Sequence, residues 1–361
     1  MKRIIYMLVL VLSVAVIHDS YGQFNRRRIK KNNKKMRNFK GKKNTFTKSK
    51  RYHSVGITLN SFHYFGDLSP TPSSFSTDIK STKPGIGLVW EHRFGPRYTL
   101  RGSYTYGTIA ANDFNAGTDG DNIYRYARNL QFRNRIHELS VVGVIDLFKN
   151  GGSYISRVPF TPYVFAGIAI FKHNPQGKVS DNGDNPNFAT LPNAGEWVNL
   201  EPLGTEGQYS TLDPDDANNG ISPYKTIQIA IPFGVGARVK LNQVMDLSLE
   251  FSPRWTFTDY LDDVSQNYVG ADKLGSDLAR AMANRSVDNT NAMSGEARDN
   301  ATLDARLGAP VVIDGYLTRP GHGHELSGNI RGNKNNNDIY FVTTLRFTYI
   351  LGGSFRRAKY R

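Results

Sequence analysis

Along much of this chain apolar residues recur at every second position, the period of a strand whose two faces meet different surroundings. The clearest run is Ile339–Leu351. One face reads Ile339, Phe341, Thr343, Leu345, Phe347, Tyr349 and Leu351, and the other Tyr340, Val342, Thr344, Arg346, Thr348 and Ile350. Residues 245–258 repeat the logic, with Leu247, Leu249, Phe251 and Trp255 opposite Asp246, Ser248, Glu250 and Arg254. Tyr98, Leu100, Tyr104 and Tyr106 alternate with Thr99, Arg101, Ser103 and Thr105, and residues 227–240 follow suit around Pro232, which cannot donate to a ladder. Shorter runs lie at residues 54–65, 85–94, 135–148 and 161–171, so the pattern predicts eight strands.

The links between these runs alternate strictly. Short ones contain Gly95-Pro96, Asn150-Gly151-Gly152 and Leu241-Asn242-Gln243; long ones fall near residues 66–84, 110–134, 172–225 and 259–338. A membrane barrel sorts its links this way, with short periplasmic turns and long outer loops, whereas a soluble sandwich has no reason to. The expected fold is therefore all-β: a transmembrane antiparallel up-and-down barrel of about eight strands spanning residues 52–352. The fourth long loop is polar and reads as largely mobile, except for a helix expected near residues 273–283, where Leu274, Leu278 and Met282 recur every four residues.

An eight-stranded barrel has an interior that side chains nearly fill. The inward phase collects Glu91, Arg93, Arg101, Glu138, Asp146, Arg238, Asp246, Glu250, Arg254 and Arg346. Charges in so narrow a space are costly unless paired. Glu91, Arg101, Glu138, Asp146, Arg238, Glu250, Arg254 and Arg346 are thus expected to form ion pairs that plug the barrel rather than line a pore.

Composition agrees. Hydrophobic residues are 39% and aromatics 12%, and mean hydropathy is -0.46. No stretch beyond the N-terminus is apolar enough for a membrane helix. Lys2, Arg3, the apolar residues 4–17 and the small residues before Gln23 have the layout of a signal peptide over residues 1–22. With no cysteine, neither disulfides nor lipoprotein acylation is available. Fourteen Lys or Arg and no acid lie between Phe24 and Arg51, so nearly all of the formal +15 sits in this arm (residues 23–51). Arg26, Arg27, Arg28, Lys30, Lys31, Lys34, Lys35 and Arg37 make it a candidate docking segment, disordered alone, for lipid phosphate, lipopolysaccharide, peptidoglycan or an acidic protein. Export takes the chain away from nucleic acid. A second basic tail, residues 353–361, follows the last strand.

Catalytic signals are weak. His322, His324 and Glu325 in a Gly-rich loop, and Asp259, Asp262 and Asp263, are of metal-ligating type, but ordinary capping and ion pairing explain them as well. No Ser, His and Asp are spaced as a trio. The chain is read as a non-enzyme with no cofactor and no metal.

Five strings in order, YARNLQFRNRIHELS from Tyr126, FTPYVFAGIAIFKHNP from Phe160, WVNLEPLGTEGQ from Trp197, FTDYLDDVSQNY from Phe257 and RGNKNNNDIYFVTTLRFTY from Arg331, resemble the PorG family of outer-membrane barrels of Bacteroidota. That family belongs to the type IX secretion system, tied to gliding in many of these bacteria. The resemblance implies a noncatalytic part of an export machine that links a periplasmic ring, built by a lipoprotein and its partner, to the outer membrane. Both chain ends would face the periplasm. The other reading left open is a general small barrel for envelope integrity or surface adhesion through its outer loops.

Overall fold

The structure, a computed structural model, describes residue 46 and residues 50–68, 82–324 and 329–351. The chain divides into two units, Met1–Thr45, which lies outside the described residues, and Phe46–Arg361. The second unit contains β1 (Tyr52–Phe65), β2 (Lys83–Arg93), β3 (Tyr98–Asn112), β4 (Gln131–Asp146), β5 (Phe160–Lys172), β6 (Pro175–Lys178), β7 (Trp197–Asn199), β8 (Ile227–Lys240), β9 (Met245–Thr256), β10 (Val311–Ile313), β11 (Tyr316–Thr318) and β12 (Ile339–Leu351). Its helices are α1 (Asn122–Arg128), α2 (Asp277–Ala283) and α3 (Asn300–Leu307).

Eight of these strands close a barrel in the order β1, β2, β3, β4, β5, β8, β9, β12, with every neighbour antiparallel. The β1–β12 pairing, from His53 with Leu351 to Phe65 with Ile339, is the closing seam. Closure satisfies the backbone without water and leaves no edge, which hydrocarbon demands. None of the helices is long and apolar enough to cross a membrane among the described residues.

Alternation sets the two faces. Ile57, Leu59, Ile86, Leu88, Leu139, Val141, Ile168, Ile229 and Leu249 point outward and are exposed, while their neighbours point in and are buried or half-buried. Aromatics mark both ends of this apolar wall: Trp90, Phe94, Tyr98, Phe148 and Phe160 towards the short turns, Tyr106, Trp255 and Phe257 towards the long loops. An apolar band around a closed sheet, bordered by aromatics at both ends, is the outer surface of a membrane barrel. The barrel spans a membrane.

Two strands outrun the pattern that predicts them. Alternation places the end of β3 near Tyr106 and the start of β4 near Arg135, yet pairing continues from Thr108 with Arg135 to Asn112 with Gln131. Here Ile109, Ala110, Ala111 and Asn112 are all buried, so the two-faced signal vanishes although the ladder continues. β6 pairs with the end of β4, and β7 with β6, so the sheet climbs above the barrel. The described parts of the long loops form a folded crown with α1, α2, α3 and the β10–β11 hairpin. The fourth long loop, expected to be largely mobile, buries Arg285, Arg298, Arg319 and Arg331 in defined contacts. The helix expected there is present as α2, capped by Ser276, whose hydroxyl accepts from the Ala279 N–H.

Prolines test the wall. The β5–β8 pairing skips Gly167 and Ile168 opposite Pro232, and the β8–β9 pairing skips Phe233 and Gly234 opposite Pro253. Pro253 has no N–H for the Phe233 carbonyl. The Ser252 hydroxyl supplies that donor at 2.7 Å. Ser252→Ala is expected to lower stability by about 1–3 kcal/mol, the cost of an orphaned buried carbonyl. Thermal unfolding in detergent measures it, and adding Pro253→Val, which restores an N–H, should recover most of the loss.

Candidate functional site: a sealed lumen under an interlocked crown

Inside the barrel, charge is matched strand to strand. Glu250 on β9 is the hub. It accepts from Arg101 on β3, from Arg346 on β12 and, at 2.6 Å, from the Tyr163 hydroxyl on β5. Arg346 also reaches Glu91 on β2 at 3.5 Å and the Tyr163 oxygen at 2.8 Å. Glu91 in turn accepts from Ser54 on β1 at 3.2 Å. A second knot joins Arg254 to Glu138 at 3.0 Å, with the Tyr340 hydroxyl donating to the same carboxylate at 2.7 Å. A third sits at the short-turn end, where Asp146 lies 2.6 Å from Arg93 and 3.6 Å from Arg238. Arg157 closes that end by pairing with Asp246 at 2.6 Å while donating to the Gln243 carbonyl.

All eight residues of the expected interior set are therefore buried and meet opposite charge. Tyr163, Tyr340 and Arg157 had no such expectation attached. The tyrosines sit in apolar-looking alternation, and Arg157 lies in a connection with no strand phase to read. The guanidinium of Arg101 also lies over the Phe165 ring, 4.6 Å from its centre. The space left among Thr58, Arg101, Ser140, Glu250 and Arg346 is about 20 Å³, room for one water. Towards the long loops Phe62, Phe132, Ile136, Phe171, Leu261 and Val342 form an apolar plug.

Above this plug the crown is locked by a few buried polar groups. Arg331 pairs with Glu206 at 2.8 Å, and Glu206 accepts from the Ser265 and Gln266 N–H groups. Asp263 accepts from the Thr205 hydroxyl at 2.5 Å and the Tyr224 hydroxyl at 2.7 Å. Arg128 holds Asp113 at 2.7 Å and donates to the Asp67 and Arg331 carbonyls. The single hydroxyl of Tyr64 lies 2.6 Å from Asp262 and 2.7 Å from Asp338. One hydroxyl supplies one proton, so the second contact needs a protonated carboxyl. Burial, reinforced by neighbouring carboxylates, holds both Asp262 and Asp338 well above the usual range. Burial also pushes Asp259 up to about 9, opposed by Ser265 and reinforced by Asp262.

Four residues of the metal-type motifs, His322, His324, Asp262 and Asp263, are held by other partners. The His322 ring nitrogens face the Tyr124 and Pro320 carbonyls at 3.0 and 3.1 Å, and His324 meets Asn329. Glu325 lies outside the described residues. Asp262 and Asp263 are committed to the contacts above. No cluster of three metal-ligating side chains forms among the described residues. Arg26, Arg27, Arg28, Lys30, Lys31, Lys34, Lys35 and Arg37 of the basic arm also lie outside the described residues.

A closed antiparallel sheet with an apolar exterior, aromatic borders and a filled polar core has the construction of an outer-membrane β-barrel. A family model described as a domain of unknown function (DUF6089) matches residues 43–189. No curated protein matches the chain. Among solved structures, the chain is similar to a major outer membrane protein of Thermus thermophilus at 11% identity and a TM-score of 0.33, covering 83% of this chain and 99% of that one. It is similar to OprG of Pseudomonas aeruginosa at 8% identity and 0.33, covering 84% and 97%. Ail, the attachment invasion locus protein of Yersinia pestis, follows at 7% and 0.30, covering 83% and 97%. The fold assignment rests on the strand pairing itself.

Two outcomes follow. Glu250→Gln strips the shared counter-charge from Arg101 and Arg346 and should cost roughly 3–5 kcal/mol, read as a lower unfolding midpoint in detergent. In the crown, native Asp259 keeps a proton that the unfolded chain releases near pH 3.8 and the folded one near pH 9. Stability should therefore fall as pH rises through that window. Asp259→Asn should flatten the decline in thermal midpoint between about pH 5 and pH 9.

Proposed function

We propose that this chain is a noncatalytic anchor in the bacterial outer membrane, serving a protein-export machine of the type IX kind. The observation that carries the reading is the sealed lumen. A barrel filled by Glu250, Arg346, Arg101, Glu138 and Arg254 offers no passage, so it acts through its faces. The segments that resemble PorG also meet in space. Arg128, Glu206, Asp263, Arg331 and Asp338 come from four of the five strings and interlock at the base of the crown. This supports reading those strings as one built unit.

In this reading the short turns and both chain ends face the periplasm and the crown faces outward. The basic arm engages the ring formed by a lipoprotein and its partner, with peptidoglycan or lipopolysaccharide as further acidic surfaces. A deletion strain should lose export of type IX cargo to the medium, and normal export would sink the role. Removing residues 24–50 should weaken co-purification with ring proteins, and the intact complex should be salt-sensitive, because exposed charges are screened over about 8 Å at physiological ionic strength. The wild-type barrel should show no conductance steps in planar bilayers.

A second reading, surface adhesion, draws on exposed apolar side chains of the crown: Val311 and Val312 on the β10–β11 hairpin, with Tyr124 and Tyr209. Normal export with altered surface attachment in the deletion strain would favour it.

A further inference from the structure

The short-turn end of the barrel carries a one-signed collar. Arg51 precedes β1, Arg97 lies in the β2–β3 turn, Lys149 in the β4–β5 connection, and Lys240 ends β8. The barrel order therefore spreads these four cations around the rim instead of gathering them on one side. Arg51, Arg97 and Lys149 are exposed, and Lys240 is half-buried with its ammonium on the Ile155 carbonyl at 2.7 Å.

Among the described residues at this end, the only carboxylates are Glu91, Asp146 and Asp246. All three are buried and face Arg346, Arg93 and Arg157 respectively. The collar thus has no counter-charge of its own. The opposite end differs: Asp119, Asp121, Asp213, Asp215 and Asp314 are exposed on the crown.

Depth along the barrel says what the collar faces. Next to the cations lies the aromatic border of Trp90, Phe94, Tyr98, Phe148 and Phe160, all exposed on the outer wall. Phe94 and Tyr98 stack at 6.3 Å across the turn that holds Arg97, and Phe148 directly precedes Lys149. Aromatic belts settle at the headgroup level of a bilayer. Cations one step beyond such a belt sit at the phosphate plane, where Arg and Lys bind phosphate oxygens by charge-assisted hydrogen bonds.

We propose that this collar is a binding surface for the phosphate headgroups of anionic glycerophospholipids in the leaflet it meets. It holds the barrel at a fixed depth and enriches acidic lipid around it. The inference rests on the membrane-spanning reading of the barrel and is independent of a role in secretion.

The test is native mass spectrometry of the full chain in detergent with added phosphatidylglycerol or phosphatidylcholine. Wild type should retain phosphatidylglycerol several-fold over phosphatidylcholine. The triple variant Arg97→Gln, Lys149→Gln, Lys240→Gln should lose that preference, and the charge-conserving variant Arg97→Lys, Lys149→Arg, Lys240→Arg should keep it. Heat-modifiable gel migration verifies that each barrel is closed, and a triple variant that fails to close is replaced by the single changes at Arg97 and Lys149. Equal retention of the two lipids by wild type would overturn the proposal. So would an undiminished preference in the neutralised variant. Displacement of phosphatidylglycerol by millimolar inorganic phosphate would overturn it too, since phosphate alone would then be the ligand.

Discussion

In hydrocarbon, no backbone N–H or carbonyl can turn to water, and this constraint organises the rest of the molecule. It obliges the sheet to close, and the β1–β12 seam does so over thirteen pairs. Closing with eight strands fixes a narrow interior. Every inward side chain then competes for that space, and every inward charge needs an opposite one from another strand. The knots around Glu250, Glu138 and Asp146 follow from that geometry. Each draws on strands far apart in sequence, so they also pin the circular order of the wall.

The places where the rule is strained show how strictly it applies. Pro253 removes a ladder donor in the middle of the wall, and Ser252, one residue away and pointing inward, replaces it. At the long-loop mouth the ladder stops and irregular backbone begins. There, buried guanidinium groups take over as donors: Arg298 reaches the Tyr126 and Ala127 carbonyls, Arg319 the Gly308 carbonyl, and Arg331 the Asp263 carbonyl. An arginine offers five donors in a planar fork, which suits it to collecting carbonyls from several loops at once. The crown is thus held by the same accounting of polar groups as the barrel, with side chains in place of strands.

A barrel plugged in this way separates mechanics from contact. The lumen carries stability, the outer wall meets lipid, and the two ends differ in charge and in shape. The short-turn end is basic and compact, and the crown is larger and carries exposed acids. Among the described residues the two ends are the surfaces left to a partner, since the wall faces lipid and the interior is filled.

The alternation of apolar and polar residues by itself determined the strand number, the inward set and the alternation of link lengths, because a strand in a membrane has two faces with opposite demands. Ile339–Leu351 and Ile227–Lys240 were legible to their end residues for that reason. The ends of β3 and β4 were not: under the crown both faces of those strands are buried, and the period disappears. Which acid meets which base, the part played by Tyr163, Tyr340 and Arg157, and the fit of Arg331 between Glu206 and Asp263 were decided only by tertiary structure. Such contacts join residues 87, 202 and 125 positions apart, and no local pattern distinguishes a buried arginine in a polar loop from a solvated one.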